Sequence, residues 1–294
     1  MADETKESGC DDDFRIGGGV PPGLAGERRC HRLHRAGGLG AGWRDQPRAG
    51  LVGGESDARW LAQSANAHLQ RLLEEQPYRP TQDLLAQLQA GIAADFQRDS
   101  GVAVSLDLNL PTACLSLLRV LGDGSLELLN LCDTCIHLAW DDGHVESFGD
   151  TPLEEIDRQS VQRLLTLREA NPDWSHAQLW QASREWVRRN RALANTPQGY
   201  WCLDPSERWI AHVQRRVLDP SGLKAFMLVT DGFDRLLDFR RYDLDSLFAA
   251  LPERGVEALI DELRALESAD GQALDYPRLK IHDDASVVWG VVRG

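Results

Sequence analysis

Carboxylates sit against apolar runs at two places in the chain. Asp231 follows Phe226-Met227-Leu228-Val229-Thr230, and Gly232 behind it lets the chain turn sharply. Asp283 and Asp284 come shortly before Val287-Val288-Trp289. A carboxylate at the mouth of a buried strand is held rigidly while its oxygens face a cleft. Hard cations such as Mg²⁺ and Mn²⁺ take such oxygen ligands. Taken singly, each aspartate also reads as a turn or cap residue.

Other constellations carry less chemistry. Cys132-Asp133-Thr134-Cys135 has redox or zinc spacing. No second pair lies at finger distance, and a strand context is wrong for a helix-opening dithiol. Cys30-His31 and His34 fall in a glycine-rich stretch and read as incidental. Trp174, Trp180 and Trp186 lie at helical spacing, as packing residues do. Arg184, Arg188, Arg189 and Arg191 read as a solvated face, with contact to a phosphopeptide as the functional alternative.

The aspartates need a scaffold, and the periodicities supply one. Ala58, Leu61, Ala62, Ala65, Leu69, Leu72 and Leu73 repeat at helical spacing, with Ser56 or Asp57 placed to cap. Pro77 and Pro80 end that helix, and Thr81 can cap a second carrying Leu84, Leu85, Leu88, Ile92 and Phe96. The period then changes. Residues 112–121 and 125–132 are strand-like around Gly122-Asp123-Gly124, and 134–140 and 144–148 repeat the device around Asp141-Asp142-Gly143. A meander of about four strands, covered on both faces, is expected. Residues 153–194 are helical, 199–203 and 209–218 extended, and 225–230 a buried strand. Amphipathic helices over 243–251 and 256–267 and a last strand over 285–292 follow. One α/β domain accounts for this order.

Composition narrows the class. The chain has 294 residues, a net charge of −14 and 42% hydrophobic residues, enough for a sizeable core. The acidic balance argues against nucleic acid as a partner. No apolar run approaches the roughly 18 residues that span a bilayer, so no membrane association is expected. Residues 1–14 are polar and unlike a secretory signal, and six unevenly spaced cysteines are no disulfide framework. A cytoplasmic protein is expected.

Three motifs in order resemble the metal-dependent type 2C serine/threonine protein phosphatases, the compact bacterial members in particular. Residues 112–120 and 124–134 look like that family's central hairpin, with Cys132-Asp133-Thr134 where a Gly-Asp-Ser turn is usual. Leu228-Val229-Thr230-Asp231-Gly232-Phe233 resembles its strand ending in Ser-Asp-Gly. His282-Asp283-Asp284-Ala285-Ser286-Val287-Val288 resembles its closing Asp-Asn strand, with Asp284 in the Asn place. The resemblance covers residues 55–294. It implies a central antiparallel β-sandwich flanked by helices, with a two-metal site of Mn²⁺ or Mg²⁺ at one edge. It further implies phosphoserine and phosphothreonine proteins as substrates, with a cognate kinase as a further partner. Metal-activated water would attack phosphorus with no covalent enzyme intermediate. Asp231 and Asp283 would be ligands of one metal.

The N-terminal part departs from that pattern. Asp12-Asp13 can stand for the family's early Glu-Asp pair, making Asp13 a candidate ligand. Gly53-Gly54 matches the step after the family's Asp-Gly turn, and counting back puts Gly50 and Leu51 where Asp and Gly belong. The bridging carboxylate is therefore missing, and one ion rather than two is expected. Arg15 lies near the place of the phosphate-binding arginine without a firm match. Residues 15–54 form an irregular Gly/Arg-rich segment in place of the expected first strands, as a shifted reading frame in a GC-rich gene would give. Two functions follow: an impaired metal-dependent phosphatase, or an inactive pseudophosphatase serving as a binding or regulatory module.

Overall fold

The computed structural model describes residues 14–17, 51–52, 56–105, 108–149 and 152–292. Two antiparallel sheets stack face to face. The first contains β2 (Leu115–Val120), β3 (Leu126–Leu131) and β6 (Gln214–Leu218), in the order β2-β3-β6. The second runs β1-β8-β7-β4-β5, from β1 (Phe14–Gly17), β4 (Thr134–Trp140), β5 (Val145–Phe148), β7 (Leu223–Thr230) and β8 (Val287–Val292). Leu118, Leu126 and Leu128 of the first sheet meet Ile136, Leu138, Phe226 and Leu228 of the second in an apolar inter-sheet core.

Helices cover both outer faces. The pair α1 (Asp57–Glu75) and α2 (Thr81–Ser100) lays Leu61, Leu69, Leu73, Leu84, Leu88 and Ile92 on Leu115, Leu117, Leu129 and Leu131. On the other side α5 (Asp231–Asp238) and α6 (Leu244–Ala269) pack Phe233, Leu236, Leu247, Leu259 and Leu263 on Met227 and Val229. Strand residues in both sheets are thus apolar on two faces, as the sequence pattern requires. A further pair, α3 (Leu153–Ala170) and α4 (His176–Arg191), follows β5, with Leu153 packed among Cys114, Cys132, Tyr200 and Cys202.

Local details follow from single residues. Ser56 caps α1 by accepting from the Arg59 amide. Thr81 does not cap α2, because Pro80 holds that position; its hydroxyl instead donates to Glu127 at 2.5 Å. Glu127 and Arg119, each 0% exposed, pair at 2.6 Å across the β2–β3 hairpin. Gly255 (φ 78°, ψ 160°) breaks α6 into the two helices expected from its periodicity.

Three expectations change. The four-strand meander is divided between sheets, since the chain leaves the first sheet at Leu131 and enters the second at Thr134. Residues 209–213 hold a short 3₁₀ turn, Ile210–His212, rather than a strand. Phe14–Gly17 is a strand paired to β8, where no strand was expected.

Candidate functional site

Strand β7 ends in Thr230 and the chain continues at once into α5, so Asp231 is the first residue of that helix. Thr230 ties it to the segment before β8: its amide donates to the Ser286 carbonyl at 3.1 Å and its hydroxyl to the Asp284 carbonyl at 3.1 Å. Gly232 serves close approach rather than a sharp turn. A Cβ there would lie 2.3 Å from the Asp284 carbonyl oxygen. Asp231 and Asp283 are thereby held at neighbouring strand ends, β7 and β8 being paired antiparallel from Val229↔Val287 onward.

Asp283 is fixed by cations. Its Oδ2 accepts from Arg235 at 3.1 Å, and its Oδ1 from Lys280 Nζ at 2.8 Å and the Asp284 amide at 3.0 Å. Arg235 also donates to Glu267 at 2.6 Å, where Arg264 (2.5 Å) and His282 (3.0 Å) meet the same 0%-exposed carboxylate. Arg264 further donates to the Asp283 carbonyl at 2.6 Å. The loop carrying Asp283 is therefore strapped to α5 and α6 by charge-assisted bonds.

Two more aspartates join these. Asp133 sits where the chain crosses between sheets, after Cys132 in a left-handed conformation (φ 71°). A buried polar network pins this crossing: Ser116 donates to Asn130 (2.5 Å) or Thr134 (2.7 Å), and Asn130 Nδ2 donates to the Thr134 carbonyl (2.9 Å). Asp157 comes from α3.

The negative charges of the four aspartates act on one another, although among the described residues no three of their carboxylates bring an oxygen within 4.8 Å of one another. Burial, then the negative charge of Asp283, push Asp231 up to about 7, with Arg235 and Lys280 acting the other way. Burial and Asp283 push Asp157 up to about 6. Burial, then Asp231, Cys114, Asp157 and Asp283, push Asp133 well above the carboxylate range. Asp231 is nonetheless exposed on the surface, while Asp133, Asp157 and Asp283 are half-buried. Like charges so gathered favour either protons or a cation. All-oxygen donors of this kind fit a hard divalent ion.

Arg191, at the end of α4, is half-buried and feels Asp283 and Tyr200; burial pushes its pKa down. It leaves the solvated face on which Arg188 and Arg189 lie exposed. Trp186 packs as expected, donating to Ser160 at 3.2 Å under the Arg163 guanidinium, whereas Trp174 is 38% exposed. Cys132 and Cys135 face different environments: Cys132 joins Cys114 and Cys202, while Cys135 packs toward α5 and α6.

Asp13, Cys30, His31 and His34 lie outside the described residues. Asp133 and Asp157 were not among the candidate ligands. Asp133 stood in the Cys-Asp-Thr turn and was legible there, whereas Asp157 follows Glu154 and Glu155 on an amphipathic helix and carries no distinguishing signal.

Residues 38–265 match the family model described as Protein phosphatase 2C. Asp133, Asp157 and Asp231 fall within that span; Asp283 lies beyond it. Among solved structures, a bacterial serine phosphatase carrying an arginine-to-lysine substitution has a TM-score of 0.44 at 11% identity, over 80% of this chain and 81% of that one. A bacterial serine phosphatase gives 0.40 at 12%, over 80% and 79%. The serine/threonine phosphatase Stp1 from Staphylococcus aureus gives 0.41 at 12%, over 80% and 78%. No curated protein matches the sequence significantly.

Proposed function

The chain belongs to the protein phosphatase 2C family, and we propose on that footing that it hydrolyses phosphoserine and phosphothreonine esters of proteins with the help of Mn²⁺ or Mg²⁺. The observation that carries the reading is the pairing of the strand ends that bear Asp231 and Asp283, toward which the negative charges of Asp133 and Asp157 also act. Asp231 and Asp283 would hold the ion, which when bound supplies Lewis acidity toward phosphoryl oxygens and water. The chain's own contributions are orientation and charge. Arg235, Arg264 and Lys280 fix Asp283, Thr230 and Gly232 fix Asp231, and Arg191 offers a partly desolvated guanidinium to an incoming phosphate. A cytoplasmic location and an upstream kinase belong to the same reading.

A second reading has its own support. Both oxygens of Asp283 are already engaged by Arg235 and Lys280, and Gly50-Leu51 stand where the family's bridging carboxylate belongs. On that reading the chain is an inactive module that binds phosphoproteins without cleaving them. Hydrolysis of p-nitrophenyl phosphate and of a phosphothreonine peptide with Mn²⁺ separates the two. Turnover by the wild type that falls at least 10-fold in Asp231→Ala and Asp283→Ala supports the enzyme; equal rates in all three chains remove it.

A further inference from the structure

A second group of potential metal-binding side chains lies between β4 and α5. Cys135 and His137, two apart on β4, project to one face of the sheet, and Asp234 reaches them from the first turn of α5. One donor atom from each of the three lies within 4.8 Å of the others. His137 Nε2 is 3.0 Å from Asp234 Oδ1, and Cys135 Sγ is 3.7 Å from His137 Nδ1. His137 is 3% exposed.

The donor set differs in kind from the aspartate cluster. A thiol, an imidazole and a carboxylate suit zinc, whereas Mg²⁺ and Mn²⁺ prefer oxygen alone. Zinc bonds of about 2.0–2.3 Å place tetrahedral donors roughly 3.3–3.7 Å apart; with Nε2 as the ligand, the Cys135 thiol, which touches Nδ1, must swing toward the Nε2 edge to close the group on an ion. An outer partner is also in place. Ser147, opposite His137 in the β4–β5 register, lies 2.7 Å from Nδ1 and can accept its proton, leaving Nε2 to face the carboxylate. A histidine–aspartate pair alone would need no thiol beside it, and the Cys135 sulfur otherwise has only a 3.6 Å contact to the Phe148 carbonyl.

We propose that Cys135, His137 and Asp234 form a zinc site, with water completing the coordination. The site joins β4 to α5 three residues beyond Asp231, so loading it clamps the helix that presents Asp231.

Titration of the full chain with Co²⁺, followed by Zn²⁺, tests this. The expected result is one equivalent of tetrahedral Co²⁺ with a thiolate charge-transfer band that Zn²⁺ abolishes. The band disappears in Cys135→Ser and His137→Gln, affinity falls at least 10-fold in Asp234→Asn, and Asp231→Ala with Asp283→Ala leaves it in place. No thiolate band in the wild type, or a band that survives Cys135→Ser (one held by Cys30 included), overturns the proposal. Should Cys135→Ser lose its circular-dichroism signature of folding, Asp234→Asn decides, and unchanged Co²⁺ affinity there overturns it.

Discussion

Replacing Asp231 by Asn should stabilise the metal-free protein while abolishing its response to Mn²⁺. Asp231 is pushed from an ordinary 3.8 up to about 7, by burial first and by Asp283 next. Taken at face value, three pKa units correspond to about 4 kcal/mol of differential energy. Asp231 has an exposed side that solvent screens, so about 1–2 kcal/mol is the expected penalty of its charge. Because the folded-state pKa is raised, the unfolded chain loses its proton first as pH rises. Stability therefore declines from about pH 4 to about pH 7, and the full penalty stands at pH 8. Removing the charge should raise Tm by about 3–6 °C at pH 8 in chelator, with the two chains converging near pH 4. Added Mn²⁺ should raise Tm for the wild type alone. Differential scanning calorimetry at both pH values, with and without Mn²⁺, measures this. A variant that melts at or below the wild type at pH 8 in chelator would mean that the carboxylates do not repel one another as their placement requires.

Gly232→Ala should cost about 1–3 kcal/mol and cut turnover at least 10-fold, because the added Cβ lies 2.3 Å from a backbone oxygen of the Asp283–Asp284 segment; steady-state kinetics together with a urea melt check both. Arg235→Met should cost about 2–4 kcal/mol by taking one of two arginine partners from the 0%-exposed Glu267, and urea denaturation reads that loss directly. Glu262 is held down at about 2 by Arg241, Arg254 and Tyr242 against the opposing effect of burial. Its contribution is present above pH 4.5 and is lost as pH falls toward 2; Glu262→Gln should lower Tm at pH 7 and flatten the acid limb in that window.

Much of the scaffold was legible because burial leaves periodic marks. The apolar runs of β3 and β7 and the 3.6-residue repeat of α1 required covered strands and amphipathic helices. Which sheet each hairpin joined was not legible, since the switch depends on a left-handed Cys132 and on the buried Ser116–Asn130–Thr134 network, both tertiary in origin. Helix α5 was missed because an eight-residue element opening with Asp-Gly carries the marks of a turn. Asp231 and Asp283 stood out through their strand neighbours. Arg235 and Lys280 did not, because a cation's role shows only when its carboxylate partner is brought to it by the fold.

The crossing at Cys132–Asp133 also bears on how the chain folds. Asp133, Asp157, Asp231 and Asp283 feel one another's charge across separations of as many as 150 residues, and Asp133 lies where one sheet hands the chain to the other. Hairpins and helix pairs can form locally, but the carboxylates cannot meet until the two sheets dock. Their repulsion is thus absent from early, partly ordered states and falls on the final consolidation. Mutations that relieve it should leave early hairpin formation untouched and mainly slow unfolding.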